Sequence, residues 1–156
     1  MIDVKPNIHL VDSDEEKITC AEIMSKLDPW ITLGVSFDQM MQTLKDNINE
    51  VYAVFIKDEI VGIIIIQTRG AFSGYLKSIA LKTGWRNKGF GKVMMNFFEE
   101  KAFSNGNNAF LCVSSFNKKA QKFYLNLGYR IIGELKDYVV EGYDEILMRK
   151  QRSDEL

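Results

Sequence analysis

Seven consecutive residues, Ile60-Val61-Gly62-Ile63-Ile64-Ile65-Ile66, narrow the folds open to this chain more than any other feature. All but Gly62 are β-branched, which stiffens χ1 and favours a strand over a helix. Apolar side chains stand at odd and even positions alike, so both faces of the strand must be covered. A sheet with one face in water is therefore excluded at this point in the chain. The run also falls far short of the roughly 20 residues that a membrane-spanning helix needs. Covering a sheet on two sides takes a chain long enough to supply helices. With 156 residues, 46% of them hydrophobic and 12% aromatic, a single domain over residues 1–156 is expected, burying roughly two-thirds of its unfolded surface.

The surrounding pattern supplies those helices. Asp14 to Leu27 reads as a helix with Ile18, Ala21, Ile23 and Met24 on one face, and Asp28-Pro29 stops it. Ser36 is an N-cap for a second helix, Phe37 to about Ile48. Val51–Ile56 and Ile60–Gln67 read as strands of a hairpin turning at Lys57-Asp58-Glu59, and Tyr75–Leu81 as a third strand after the loop Arg69–Gly74. A helix from about Gly89 to Phe103 buries Val93, Met94, Phe97, Phe98 and Ala102, and the segment Ser104–Asn108 stops it. Strand Ala109–Val113 follows, then helix Asn117–Leu127 ended by Gly128, then strands Tyr129–Glu134 and Tyr143–Arg149 joined by a polar connection. His9, with Leu10-Val11, reads as part of a first strand without chemistry. The class is α/β with mixed α+β character, a mixed sheet carrying helices on its faces.

Charge and cysteine usage remove several function classes. A formal net charge of −1 argues against nucleic-acid binding by bulk charge. One histidine cannot make a His-rich metal site, and the two cysteines, Cys20 and Cys112, lie too far apart in sequence for a zinc-ligand cluster, so no metal is expected. The same pair makes no disulfide framework, which suits a reducing compartment. Asp3, Lys5 and Pro6 interrupt the N-terminus where a signal peptide is apolar. Ser153-Asp154-Glu155-Leu156 only superficially resembles a retention tail and reads as a frayed polar end. A soluble, cytoplasmic protein without a membrane or nucleic-acid partner is expected.

The chemistry concentrates after the third strand, in Thr83-Gly84-Trp85-Arg86-Asn87-Lys88-Gly89-Phe90-Gly91-Lys92. A buried strand there runs into a glycine-bearing loop that opens a helix. Such a helix start exposes unpaired N–H groups and the positive end of the dipole. Glycines let a bulky anion approach those amides, and Arg86, Lys88 and Lys92 add positive charge. The pattern fits a phosphate or pyrophosphate. It is not a Walker A loop, which would need Gly where Arg86 stands and Ser or Thr where Val93 stands. Nor is it a dinucleotide fingerprint, whose third small residue would fall on Met94. A loop that merely turns a strand into a helix is the alternative.

Arg86-x-x-Gly89-x-Gly91 after a strand resembles the Arg/Gln-x-x-Gly-x-Gly/Ala signature of the GCN5-related N-acetyltransferases. Downstream, Asn117-Lys118-Lys119-Ala120-Gln121-Lys122-Phe123-Tyr124-Leu125-Asn126-Leu127-Gly128-Tyr129 is similar to that family's Asn-x-x-Ala-x-x-Phe-Tyr-x-x-x-Gly-Phe block, with Tyr129 for the usual Phe. One helix and one strand intervene, as in the family, and Asp144–Lys150 resembles its final strand. The resemblance covers roughly Val51 to Lys150. It implies a mostly antiparallel sheet of six to seven strands flanked by about four helices.

The resemblance implies an acetyl-CoA-dependent N-acetyltransferase acting on a primary amine of a small molecule or peptide, by direct transfer, as monomer or homodimer. Its pyrophosphate site would be Arg86, Asn87, Lys88, Gly89, Phe90, Gly91 and Lys92, and the pantetheine arm would lie along Ile79, Ala80 and Leu81 like an added strand. The sheet would splay open between that strand and Ala109–Val113. Asn117 matches a position that contacts the cofactor arm, and is equally a helix N-cap. Tyr124 matches the general acid that meets the leaving thiolate, and its alternative is a packed ring. An acid often found on the motif strand is Lys77 here, which leaves Glu134, Asp28 or a water chain as the base. Asp28, Trp30 and Phe72 are acceptor-pocket candidates, though Trp30 also reads as a core plug. Cys112 falls in an apolar strand and reads as inert. The same fold without turnover, an acyl-CoA sensor, is the alternative function.

Overall fold

The computed structural model describes residues 4–155. Residues 1–3 and 156, including the first and last residues of the termini considered above, lie outside the described residues. Seven strands form one sheet: β1 (Asn7–Leu10), β2 (Asn49–Ile56), β3 (Glu59–Gln67), β4 (Tyr75–Leu81), β5 (Asn108–Ser114), β6 (Arg130–Val140) and β7 (Tyr143–Gln151). Their order across the sheet is β1-β2-β3-β4-β5-β7-β6. Every neighbouring pair is antiparallel except β4 with β5. Five helices accompany it: α1 (Asp14–Met24), α2 (Trp30–Leu33), α3 (Phe37–Lys45), α4 (Phe90–Asn105) and α5 (Lys118–Asn126).

The isoleucine run does what its composition requires. Ile64 and Ile66 face one way, into a core with Met94, Met95, Phe98 and Ala102 of α4, Tyr124 of α5, and Leu111, Val113 and Met148 of β5 and β7. Ile63 and Ile65 face the other way, against Cys20, Ala21 and Met24 of α1 and Met40 and Leu44 of α3. The second core takes nothing from β5, β6 or β7. Helices α1 and α3 therefore cover only the β2–β4 half of their face.

Several boundaries differ from the sequence expectation. Helix α1 stops at Met24 rather than Leu27, and the next segment coils into the short α2, closed by Gly34 in the left-handed region. Helix α3 ends at Lys45, because Asp46 turns extended and its carboxylate accepts the Ile48 N–H at 3.1 Å. The Ser36 cap forms as a full capping box with Gln39. Helix α4 runs through Ser104 to Asn105, two residues past the expected stop. Strand β6 continues past Glu134 to Val140, so a tight turn at Glu141-Gly142 replaces the polar connection. As an edge strand β6 leaves Ile131, Ile132, Tyr138 and Val139 exposed, and its pairing with β7 is broken between Leu135 and Val140. The tail expected to fray forms a 3-10 turn, Arg152–Glu155, tethered by the Arg152 N–H on the Asn107 carbonyl at 2.9 Å.

Candidate active site

The parallel strands β4 and β5 pair at only two positions, Tyr75 with Phe110 and Leu76 with Leu111. Gly74 fixes this closed end. Its carbonyl accepts the Phe110 N–H at 2.9 Å, and a Cβ there would stand 2.5 Å from the Asn108 carbonyl oxygen. Beyond Leu76 the two strands part. Strand β4 keeps its other neighbour as far as Leu81, which pairs with Gly62 of β3. On the β5 side the backbone of Ile79, Ala80 and Leu81 has no strand partner. The Leu81 carbonyl instead accepts the Arg86 Nε–H at 3.1 Å.

The loop at the open end carries two left-handed residues, Asn87 at φ 60° and Gly89 at φ 88°. The 3-10 turn Thr83–Trp85 leads in and α4 leads out. No side chain caps Gly89, so the first N–H groups of α4 point outward. A Cβ on Gly89 would meet nothing within 4 Å, which leaves room for a bulky group. Arg86, Asn87, Lys88 and Lys92 are exposed around this opening. Phe90 is not: its ring is buried in the α4 core, 5.7 Å from Trp85, so only its backbone N–H can serve a ligand. A Cβ on Gly91 would lie 3.4 Å from the Phe123 ring, so α5 packs directly on the loop. Outward amides, positive side chains and the helix dipole together suit an anion.

Helix α5 brings up Asn117 and Tyr124. Asn117 is its N-cap, its Oδ1 accepting the Ala120 N–H at 3.1 Å. Tyr124 is 7% exposed and stacks edge-on between Phe123 and Tyr129. Burial pushes its phenol up to about 12. It therefore stays protonated at neutral pH, with a hydroxyl able to donate.

A sequence model of the acetyltransferase (GNAT) family matches residues 17–129. The chain belongs to this family. An uncharacterized N-acetyltransferase of Methanocaldococcus jannaschii is 34% identical over 82 residues, 51% of this chain and 53% of that protein. The chain thus aligns with about half the length of that curated relative. Among solved structures, a Bacillus subtilis acetyltransferase in complex with CoA superposes with TM-score 0.75 at 17% identity, covering 94% of this chain and 99% of the other. An aminoglycoside 6'-N-acetyltransferase from Enterococcus faecium gives 0.72 at 20% identity, covering 94% and 97%. At these identities both speak for the fold alone.

The other face of the GNAT sheet divides the acceptor candidates. Asp28 is exposed and holds the Thr32 hydroxyl at 2.6 Å and the Thr32 N–H at 3.0 Å. Those two hydrogen bonds, with the Arg86 charge adding to them, hold its carboxyl below the usual range, so it is a poor base at neutral pH. Trp30 is half-buried against the α1–α3 core. Phe72 is 49% exposed and rests on Phe110, 5.3 Å between centroids, at the closed end of the fork. Asp28 neighbours Arg86 at the open end. The length of β4, about 20 Å at a strand's rise, separates them, so the three residues do not form one wall. Lys77 is exposed and lines a hollow of about 300 Å³ with Gln42, Thr43, Asp46, Ile48, Asn49 and Gln67. Glu134 is exposed on the edge strand β6. Among the described residues no group of three His, Cys, Asp or Glu could hold a metal ion.

The sequence reading passed over Glu145. It sits on β7 opposite Ser114, 7% exposed, with Oε2 lacking a hydrogen-bond partner. Ser114 Oγ, buried and with no other partner, faces that carboxyl. Burial raises the carboxyl above its ordinary value, while a hydrogen bond from the Ser114 side chain pulls the other way. In sequence Glu145 stands beside Asp144 near the start of a closing strand, and only the pairing of β7 with β5 shows that it is buried.

Proposed function

We propose that this GNAT protein, as one domain, moves the acetyl group of acetyl-CoA directly to a primary amine of a small molecule or peptide. The observation that carries the reading is the fork between β4 and β5 with the uncapped start of α4 at its open end. The amides of residues 87–92, with Arg86, Lys88 and Lys92, would hold the diphosphate of CoA. The unpaired β4 backbone at Ile79 and Ala80 would take the pantetheine arm as an extra strand. Asn117, whose Oδ1 is committed to its cap, keeps its amide nitrogen to offer the arm. The relative of the same fold solved in complex with CoA supports CoA as the ligand.

Tyr124 would meet the leaving sulfur. A phenol near 12 and a thiol near 8.5 differ by about 3.5 units, so full proton transfer is uphill by roughly 5 kcal/mol. Its contribution is then a hydrogen bond to the sulfur as charge develops there. The buried carboxylate of Glu145 on the far face supports acceptance of a cation there.

Calorimetry with CoA tests the donor site. Thiol release from acetyl-CoA, measured with kanamycin, spermidine, free amino acids and an alanine-initiated peptide, tests transfer. CoA binding with acceptor-dependent thiol release is the expected result. Binding without release for any acceptor favours the sensor, and no heat with millimolar CoA refutes the reading.

A further inference from the structure

An amine is about 10.4 in pKa when unperturbed, so it reaches the site as an ammonium and must lose a proton before it can attack. Neither base named from the sequence suits that step. Asp28 is held ionised by Thr32 and Arg86. Glu134 pairs with Ile146 on an exposed edge, on the face opposite Glu145 by strand alternation.

Glu145 is placed differently. Leu111, Val113 and Met148 point into the α4 core. The intervening residues of β5 and β7, Cys112, Ser114 and Glu145, therefore point to the half of the sheet that α1 and α3 leave bare. Cys112 is the first β5 residue past the last β4 pair, at the point where the fork opens. The Glu145 charge acts on Cys112 and on Tyr75 from β4. Its carboxylate thus stands beside the fork, on the face away from Tyr124, and it is buried with one oxygen unpartnered. A buried carboxylate offset by no charge, with only the Ser114 side chain to hydrogen-bond it, is costly, and a bound cation removes that cost.

We propose that Glu145 is the general base of the acetyl transfer proposed above, and that its carboxylate receives the acceptor's ammonium at the open end of the β4–β5 fork. The inference rests on that reading. Glu145 takes one proton from the ammonium, leaving a neutral amine. The nitrogen lone pair forms the N–C bond as the thioester C–S bond breaks, and the sulfur leaves with the electron pair against the Tyr124 hydroxyl. The second nitrogen proton goes to water. The thiolate then equilibrates with solvent, so the sum is amide, thiol and one released proton. Groups facing Glu145 are Ser114 and Cys112 from β5, Tyr75 and, through Cys112, Lys77 from β4, and Tyr138 from β6 by way of Tyr75. Only Lys77 among them is charged at neutral pH, and it bears on Cys112.

The test is Glu145→Gln with the best acceptor of the panel above, read as kcat/KM against pH, with CoA affinity measured on both proteins. Loss of a general base is worth about 10²- to 10⁴-fold. The loss should shrink as pH approaches the acceptor's own pKa, where neutral amine needs no base. CoA affinity should stay within about threefold, as Glu145 touches no part of the diphosphate loop. A loss that is uniform across pH marks a structural role and overturns the proposal, as does an unchanged rate. A second readout needs no acceptor: the ¹³C carboxyl signal that disappears in Glu145→Gln should titrate above the ordinary glutamate range, and a midpoint at or below it overturns the proposal. Wild-type protein that binds no CoA fails at the donor site, which separates failure of the underlying reading from failure of Glu145.

Discussion

Gly74 and Gly89 stand at the two ends of the fork with almost the same backbone, φ +86° and +88°. Alanine at either position meets the same left-handed strain, about 1–2 kcal/mol. What differs is the room for the new methyl. At Gly89 it meets nothing within 4 Å, whereas at Gly74 it would lie 2.5 Å from the Asn108 carbonyl oxygen. A backbone atom cannot rotate away, so the β4–β5 junction must shift and strain the 2.9 Å bond from Phe110 N–H to the Gly74 carbonyl. Overpacking of this kind adds about 1–3 kcal/mol. Gly74→Ala should therefore cost about 2–5 kcal/mol and Gly89→Ala about 1–2, read from urea midpoints. In a chain of this size each kcal/mol lowers Tm by about 2–4 °C. The order reverses for ligand affinity. A methyl at Gly89 stands where the diphosphate would approach, and losing one charge-assisted hydrogen bond of about 1.5–3 kcal/mol weakens CoA roughly 10- to 150-fold. Calorimetry at a temperature where both variants are folded measures this. Gly89→Ala that binds CoA as well as wild type would refute the anion-loop argument. Gly74→Ala as mild as Gly89→Ala would refute the account of the closed end.

Tyr124→Phe should lower kcat about 100-fold or more and leave the CoA dissociation constant within twofold; equal kcat in a steady-state thiol-release assay would remove the hydroxyl from the reaction. Lys150→Met leaves Glu99 buried without the ammonium 3.1 Å away, and a buried pair broken on one side costs about 3–5 kcal/mol, to be seen as a shift in the urea midpoint. Glu145→Gln should stabilise the fold at neutral pH while it disables transfer. The folded state holds that proton more tightly than the unfolded one, so wild-type stability falls as pH rises from the ordinary glutamate pKa through the raised folded value. Urea midpoints of variant and wild type should converge near pH 4 and separate, with the variant higher, by pH 8. Curves that stay parallel across that range contradict the raised carboxyl.

Local signals carried most of the fold. The β-branched run at 60–66 required cover on both faces and received it from α4 on one side and α1 with α3 on the other. Ser36 and Asn117 cap the helices they precede because capping is decided within four residues. The boundaries that moved were set by contacts a local pattern does not contain. Helix α1 ends where the chain must turn into α2, and β6 runs on to Val140 because β7 supplies a partner at Tyr143. The site divides along the same line. The glycine loop and the Tyr124 helix were legible because each lies within a dozen residues. The acceptor side was not, because it is assembled by register: Glu145 matters only once β7 is known to lie beside β5 and to face Ser114 across it. Read alone, an acidic residue beside Asp144 in a closing strand looks like surface. Placed beside β5 in the interior of a sheet half-covered by helices, the same carboxylate is buried with only the Ser114 side chain to hydrogen-bond it and no charge to offset its own. A protein tolerates that cost where a ligand's charge offsets it. The physics that makes Glu145 a liability to folding is therefore the ground on which we propose that face for the amine.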